Sequence, residues 1–220
     1  MDAREAAMLA LNACQRQGGW SDGALKKQLA AAELSGRDAA LATQLCFGPE
    51  AALCSRLVYG VGQNQMLLDF YLSKFSNIPL KRMEGKVVQT LRLGAYQMLF
   101  LTRIPHSAAV NSAVTLVKTH CKNPRAAGMV NGILRSMERS LQNMPVIPQG
   151  DPVAYLSTLY SHPEWLVKEF ILSLGEEETA QLLAADNSQP PTAVMVNTTR
   201  TTAETLKAML EADHVEAEPH

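Results

Sequence analysis

The apolar residues between positions 84 and 143 recur at intervals of three and four, which is the repeat of an α-helix with one buried face. Two prolines, Pro105 and Pro124, interrupt the pattern, because proline cannot continue a helix beyond its first turn. We therefore expect helices over about 84–102 and 106–119, and a third helix that Asn123 caps. Helices that follow one another so closely bury their apolar faces against each other.

The residues before position 84 carry the same repeat. It predicts helices over 2–17, 21–32 and 64–75, and Gly18-Gly19 ends the first of them. A capping box of Ser35 and Asp38 precedes a short tandem repeat, in which 37–48 recurs with changes as 49–60 and Gly48-Pro49 breaks the helix. No strand pattern appears before position 144. Residues 1–143 are therefore expected to form an all-helical domain.

The remainder of the chain has a different pattern. Residues 144–160 are rich in proline and are expected to form a linker, and 161–191 an acidic helical connector. Ser161 and Glu164 form a second capping box, and Gly175 ends the helix that it opens. In 192–220 we expect strands at 193–197 and 215–218 around a helix at 202–212, which is an incomplete α/β subdomain. The predicted fold class is mainly α: a helical bundle, a linker, a helical connector and the start of an α/β subdomain.

Charge divides the chain at about residue 150. Residues 1–150 carry 17 Lys and Arg against 9 Asp and Glu, whereas 151–220 carry 3 against 12. Such an asymmetry is typical of a domain that meets a polyanion. A solvated basic face would look the same, and charge alone leaves both interpretations open.

Residue types that perform catalysis or bind metal are not arranged for either purpose. None of the four cysteines forms a CxxC pair, and no glycine-rich phosphate loop or G-x-S-x-G motif is present. Cys121 lies between Lys118 and Lys122, which would lower its pKa if they approach the thiol, but an ordinary cysteine at a helix end is the favoured interpretation. We predict no catalytic, cofactor-binding or metal-binding residue, no membrane span, and a reducing, cytoplasmic location.

The basic residues are the candidates for contact with RNA, since Lys and Arg neutralise phosphates and an aromatic ring stacks on bases. On the 84–102 helix, Gln89 and several of these candidates are expected to lie opposite the apolar stripe. Asn111 and Asn131 are interpreted as ties between helices. The predicted RNA-binding residues are Lys81, Arg82, Lys86, Arg92, Tyr96, Arg103, Lys118, Lys122, Arg125, Arg135 and Arg139.

Two blocks of the sequence resemble a known family. The segments LRLGAYQMLFLTRIPHSAAVNSAV (91–114) and GMVNGILR (128–135) resemble the NusB-like RNA-binding domain. They are most similar to the version at the amino terminus of RsmB/Sun-type bacterial 16S ribosomal RNA cytosine-C5 methyltransferases. The block YSHPEWLVKEFILSLGEEETAQLLAADNSQPPTAVMVNTTRT (160–201) resembles the connector of the same family and its entry into the catalytic region.

The resemblance implies a division of labour. The family transfers a methyl group from S-adenosylmethionine with a nucleophilic cysteine, downstream of a D-x-C-A-A-P-G-G-K-type loop. Neither that loop nor a Pro-Cys pair occurs in these 220 residues, so the chain is expected to recognise small-subunit ribosomal RNA and not to methylate it alone. Its implied partners are the RNA and its own missing catalytic domain. The alternative is a stand-alone NusB-like protein of transcription antitermination or ribosome assembly.

Overall fold

The computed structural model describes residues 2–17, 21–31, 49–188, 193–213 and 215–218. It divides into two compact units, Met1–Asn187 and Ser188–His220. Part of the tandem repeat and the Ser35–Asp38 capping box lie outside the described residues. The second copy of the repeat falls in a helix that begins at Pro49.

Seven α-helices of the first unit build its main core. Their bounds are α1 Ala3–Gln17, α2 Ser21–Ala31, α3 Pro49–Gln63, α4 Gln65–Phe75, α5 Gly85–Phe100, α6 His106–His120 and α7 Ala126–Arg139. A single 3-10 turn, Leu80–Arg82, precedes α5. The helices predicted over this region are confirmed to within a few residues. The side chain of Asn123 accepts a hydrogen bond from the N–H of Arg125 at 3.1 Å, in the turn that leads into α7.

Helix α5 lies at the centre of the bundle and packs against α1, α3, α4, α6 and α7. Every residue from Val87 to Met98 is buried, so the helix has no polar outer face. A methyl group on Gly94 would lie 2.6 Å from Leu134 Cδ1, so a glycine is needed where α5 crosses α7. A methyl group on Gly60 would lie 2.0 Å from the ring of Tyr96. Helix α3 therefore also approaches α5 closely at this glycine. The close approach of α5 to its neighbours therefore depends on Gly94 of α5 and on Gly60 of α3.

A second, smaller core lies under three further helices of the first unit, α8 Pro152–Tyr160, α9 Glu164–Leu174 and α10 Glu176–Asp186. Leu156, Val167 and Leu183 are its buried centre. Helix α8 occupies much of the predicted linker, because the side chain of Asp151 accepts a hydrogen bond from the N–H of Val153 and the proline stands in the first turn. It packs against α4, which joins the connector to the bundle.

The predicted capping box at Ser161 is wrong. Ser161 adopts the left-handed conformation (φ 58°) at the carboxyl end of α8, and α9 begins only at Glu164, after Pro163. Its hydroxyl oxygen accepts hydrogen bonds from the N–H groups of Met66 and Leu67, at 3.1 and 3.3 Å. The serine thus caps α4 of the bundle instead of its own helix. The predicted helix end at Gly175 is confirmed, with φ 86°.

The second unit contains α11, Ala203–Ala212, which the side chain of Thr202 caps. The two predicted strands are wrong for its described residues, since 193–197 and 215–218 have no sheet hydrogen bonds. A strand is stable only beside partners that use its backbone groups, and one helix with two short extended segments does not supply a sheet. Met195 of the first segment is 97% exposed.

No helix in the described part of the chain is long and apolar enough to span a lipid bilayer.

Candidate nucleic-acid interface

A cleft of about 660 Å³ opens beside the amino-terminal end of α5. It lies among α1, the 3-10 turn, the start of α5 and the residues that follow α6. Five Lys or Arg residues and two carboxylates line it, an excess of three positive charges before His120 is counted. The charged and polar lining residues are Asn12, Gln15, Arg16, Asp69, Lys81, Glu84, Lys86, Arg92, His120 and Lys122.

Both carboxylates of this cleft already have partners. Asp69 receives two hydrogen bonds from Arg92, from Nε to Oδ1 at 2.7 Å and from an Nη to Oδ2 at 2.6 Å. Glu84 Oε2 accepts a hydrogen bond from the backbone N–H of Lys122 at 2.9 Å. Asp69 therefore neutralises Arg92, and Glu84 is the one carboxylate left beside the other four cations of the cleft.

Lys86 is held in place by the protein backbone. Its Nζ donates a hydrogen bond to the carbonyl oxygen of His120 at 3.0 Å, which fixes the ammonium group of α5 against the end of α6. An ammonium group has three donors, so two remain for another acceptor. The imidazole Nε2 of His120 lies 3.3 Å from Oε1 of Glu5.

Two predicted RNA contacts are corrected by burial. The Arg92 side chain is 6% exposed and its guanidinium is engaged by Asp69, while Tyr96 is 7% exposed and stacks on Phe100 with ring centroids 5.1 Å apart. Gln89 is 2% exposed and donates to Gln15 Oε1 at 2.8 Å. The predicted polar face of α5 is wrong, because neighbouring helices cover that side as well. The ring of Tyr96 has no open face for a base.

The other predicted residues fall into two groups. Lys81, Lys86 and Lys122 line the cleft. The remaining cations lie outside it: Arg82, Arg103, Lys118, Arg125, Arg135 and Arg139. All are exposed except Arg135, which is half-buried and forms an ion pair with Glu138 at 2.8 Å. We call Lys118, Arg125 and Arg139 the outer cations.

Two further expectations concern asparagines. Asn111 and Asn131 are interpreted from the sequence as ties between helices, but both side chains are exposed. Asn111 shares an exposed face of α6 with Thr115 and Lys118, as the helical spacing predicts. The interpretation as ties is wrong, because an exposed amide is satisfied by water.

Sequence reasoning did not find the α1 wall of the cleft. Arg16 and its neighbours Asn12 and Gln15 are about 70 residues from the basic segment and carry no motif. One signal was available: Asn12, Gln15 and Arg16 occupy the polar side of an otherwise apolar helix. Their meeting with Lys86 depends on how α1 packs against α5.

Cys121 is buried beside this cleft. Burial and, to a smaller extent, the Glu84 carboxylate raise the pKa of its thiol to about 11, although Lys86 acts in the opposite direction. A lowered pKa is excluded at this position, and the interpretation as an ordinary cysteine at a helix end is favoured. The thiol is protonated at neutral pH and is not a nucleophile.

The lining of the cleft does not suit S-adenosylmethionine. That cofactor carries a sulfonium cation and an adenine ring, whereas the lining is positively charged and has no Phe, Tyr or Trp. Among the described residues no group of three His, Cys, Asp or Glu is placed to hold a metal ion. No step of a methyl transfer is derived from this chain.

Comparison with known families defines the main domain. The model of the NusB family matches residues 1–139. This chain belongs to the NusB family. A second model, described as the Methyltr_RsmF/B-like, ferredoxin-like domain, matches residues 162–220. The resemblance noted in the sequence is confirmed in both of its blocks.

Curated relatives align with most of this chain. The chain is 34% identical to a probable ribosomal RNA small subunit methyltransferase B of Bacillus subtilis, over 98% of this chain and 45% of that protein. It is 29% identical to the corresponding protein of Synechocystis, over 91% of this chain and 42% of the relative. The chain therefore spans less than half the length of these relatives.

Solved structures share the helical fold. One is the crystal structure of antitermination factors NusB and NusE in complex with dsRNA, with a TM-score of 0.52 and 21% identity. It covers 63% of this chain and 94% of the matched chain. Another, a crystal structure of a plectonemic RNA supercoil, gives a TM-score of 0.54 at 20% identity over 64% of this chain and 94% of its own. The predicted NusB-like bundle is confirmed.

Proposed function

We propose that this chain is the RNA-recognition part of a small-subunit ribosomal RNA cytosine-C5 methyltransferase. The observation that carries the proposal is the order of two matches in one chain, a NusB-family domain at 1–139 and a ferredoxin-like domain of the RsmF/B methyltransferases at 162–220. Relatives that align over nearly the whole chain are ribosomal RNA methyltransferases. The same proposal places the protein in the cytoplasm.

In this proposal the NusB-family domain binds the RNA. It has a cleft with an excess of three positive charges, and the outer cations lie exposed on another part of the bundle. Cations that neutralise phosphates release counterions from RNA, which makes binding favourable and dependent on salt. The domain would thus hold the ribosomal RNA while another part of the protein performs the chemistry.

In this proposal a catalytic domain, which is a further partner of this chain, carries out the methyl transfer. S-adenosylmethionine would supply the methyl group there. The present 220 residues contain no D-x-C-A-A-P-G-G-K-type loop and no Pro-Cys pair, and Cys121 is a protonated, buried thiol. Incubation of this chain with S-adenosylmethionine and ribosomal RNA should give no incorporation of labelled methyl groups.

A stand-alone role in antitermination is the less favoured alternative. The NusB-like bundle is compatible with that role. The solved structures share only the fold with this chain and do not distinguish the two roles. The ferredoxin-like match over 162–220 is not accounted for by that role, because a free RNA-binding bundle needs no such extension.

The proposal is tested by RNA selectivity. The full chain is titrated against a small-subunit ribosomal RNA transcript and a large-subunit transcript of equal length, with filter binding at increasing KCl. We expect tighter binding to the small-subunit RNA, and the logarithm of its association constant should fall linearly with the logarithm of the salt concentration. Absence of binding, or equal affinity for both transcripts, would contradict the proposal.

A further inference from the structure

We propose that the cleft beside the amino-terminal end of α5 holds phosphates of the RNA backbone. This inference rests on the proposed function and deepens it, because it assigns RNA binding to one place in the fold. The outer cations are the alternative site. The ligand class is a phosphodiester chain, bound through its charge and not through its bases.

The first argument is the distribution of unpaired charge. Arg16, Lys81 and Lys122 come from three different elements, and all three are exposed at the cleft. Within the described part of the chain none of them lies within 4.0 Å of a carboxylate, and neither does Lys86. Four cations that converge on a concave surface with Glu84 as the one carboxylate outside the Arg92–Asp69 pair repel one another. An extended polyanion relieves that repulsion.

The second argument is that the groups of the cleft are preorganised to bind an anion. The carbonyl of His120 holds Lys86, so the ammonium loses little conformational freedom when it binds. Glu84 stands at the N-cap of α5 but makes no capping hydrogen bond, since its carboxylate accepts the N–H of Lys122 instead. The first N–H groups of α5 therefore lack a side-chain cap and add a positive dipole end beside the cations.

The third argument concerns what the cleft does not contain. Its lining has no Phe, Tyr or Trp, and its one aromatic ring, the imidazole of His120, is half-buried with Nε2 3.3 Å from Oε1 of Glu5. Phosphate contacts position a nucleic acid, whereas base contacts specify its sequence. The cleft should therefore contribute affinity and salt dependence with little preference for sequence. Its volume of about 660 Å³ exceeds what one phosphate group needs.

The outer cations also lack an ion pair among the described residues, but they do not line the cleft. Lys118, Arg125 and Arg139 are exposed on α6, in the turn before α7 and on α7, and none of them lines the cleft. They carry the same number of charges as Arg16, Lys81 and Lys122. A comparison between these two sets of three therefore separates the position of charge from its amount.

The test compares two triple variants of the full chain. One removes the cleft charges, R16Q/K81Q/K122Q, and the other removes the outer charges, K118Q/R125Q/R139Q. Each is titrated by fluorescence anisotropy against labelled RNA hairpins of one stem and different loops, including one from small-subunit ribosomal RNA. All six residues are exposed, and circular dichroism checks that both variants retain the helical content of the wild type.

We expect the cleft variant to lose at least about tenfold in affinity for every hairpin, and its salt slope to fall by about 2, since each phosphate contact contributes about 0.7–0.9. The outer variant should stay within about threefold of wild type. If the cleft variant binds like wild type, or if both variants lose affinity equally, the assignment to the cleft is overturned while the proposed function survives. If wild type binds no RNA, both are overturned.

Discussion

The hydroxyl oxygen of Ser161 accepts a hydrogen bond from the backbone N–H of Met66 at 3.1 Å, across 95 positions of the chain. It accepts a second bond from Leu67 at 3.3 Å, so one side chain satisfies two N–H groups in the first turn of α4. The carbonyl oxygens of Tyr160 and His162, on either side of it, accept further bonds from Asn187 and Ser157. The connector is thereby fastened to the NusB-family bundle through the cap of a bundle helix.

Substitution Ser161→Ala should loosen this contact. The N–H groups of Met66 and Leu67 lose their acceptor, and loss of a helix cap lowers the free energy of unfolding by about 1 kcal/mol. Hydrogen exchange measured by NMR should become faster at these two amides. Unchanged exchange at both amides would show that the serine does not cap α4.

Ser161→Gly is the matched control for backbone strain. Glycine also removes the hydroxyl, but it accepts φ 58° without the cost of roughly 1 kcal/mol that other residues meet in the left-handed region. We expect urea denaturation to give a stability close to wild type, with amide exchange at Met66 as fast as in the alanine variant.

Removal of the Asp69 carboxylate should destabilise the bundle. Its partner Arg92 has a side chain that is 6% exposed, so Asp69→Ala leaves a buried guanidinium without a counter-charge, at a cost of about 3 kcal/mol. The double variant Asp69→Leu/Arg92→Met should be less destabilised than the sum of its single substitutions. Strictly additive unfolding free energies would mean that the two side chains do not interact.

A methyl group on Gly60 should be costly, unlike one on Gly62 in the same helix. At Gly60 it would lie 2.0 Å from the ring of Tyr96, which forces the core apart and costs about 1–3 kcal/mol. At the exposed Gly62 nothing lies within 4 Å, and alanine should stabilise the helix by up to about 1 kcal/mol. Equal shifts of the urea midpoint for Gly60→Ala and Gly62→Ala would contradict the close approach of α3 to α5.

Alkylation should be slow at Cys121. Its pKa rises from 9.0 to about 11, so the thiolate fraction at pH 8 falls by about 100-fold. Iodoacetamide labelling followed by peptide mass spectrometry should find the peptide that contains Cys121 almost unmodified in the folded protein and modified in urea. Because the folded pKa is the higher one, this thiol favours the folded state below pH 9, and that contribution is lost as pH rises towards 11. Rapid labelling of the native protein would disprove the raised pKa.

The helices of the bundle were predictable because their signals are local. Apolar spacing and the breaks at Pro105 and Pro124 place α5, α6 and α7 to within a few residues. The strands predicted at 193–197 and 215–218 are wrong for the described residues, since a strand exists only with partners that the chain must bring to it. Helix α8 was missed because a proline-rich segment suggests a linker, although Asp151 and Pro152 also form a good helix start.

Only part of the candidate site could be predicted from the sequence. Lys81, Lys86 and Lys122 were found because basic residues without acidic neighbours are visible in a sequence. Arg92 and Tyr96 were misjudged, because a helix buried on all sides carries the same periodicity as a helix at the surface once its polar residues find partners inside. Arg16 was missed because α1 reaches the cleft only through packing.

The helical character of the bundle and its breaks can be read from the amino-acid sequence, since they follow from interactions between residues a few positions apart. Which polar groups face outward and which are used within the fold depends on how the helices pack. Ser161 carries the signature of a local cap, yet it caps α4 because the packing of α8 against that helix brings its hydroxyl to the N–H groups of Met66 and Leu67. Hydrogen bonds between distant residues depend on packing, and spacing along the chain does not encode them.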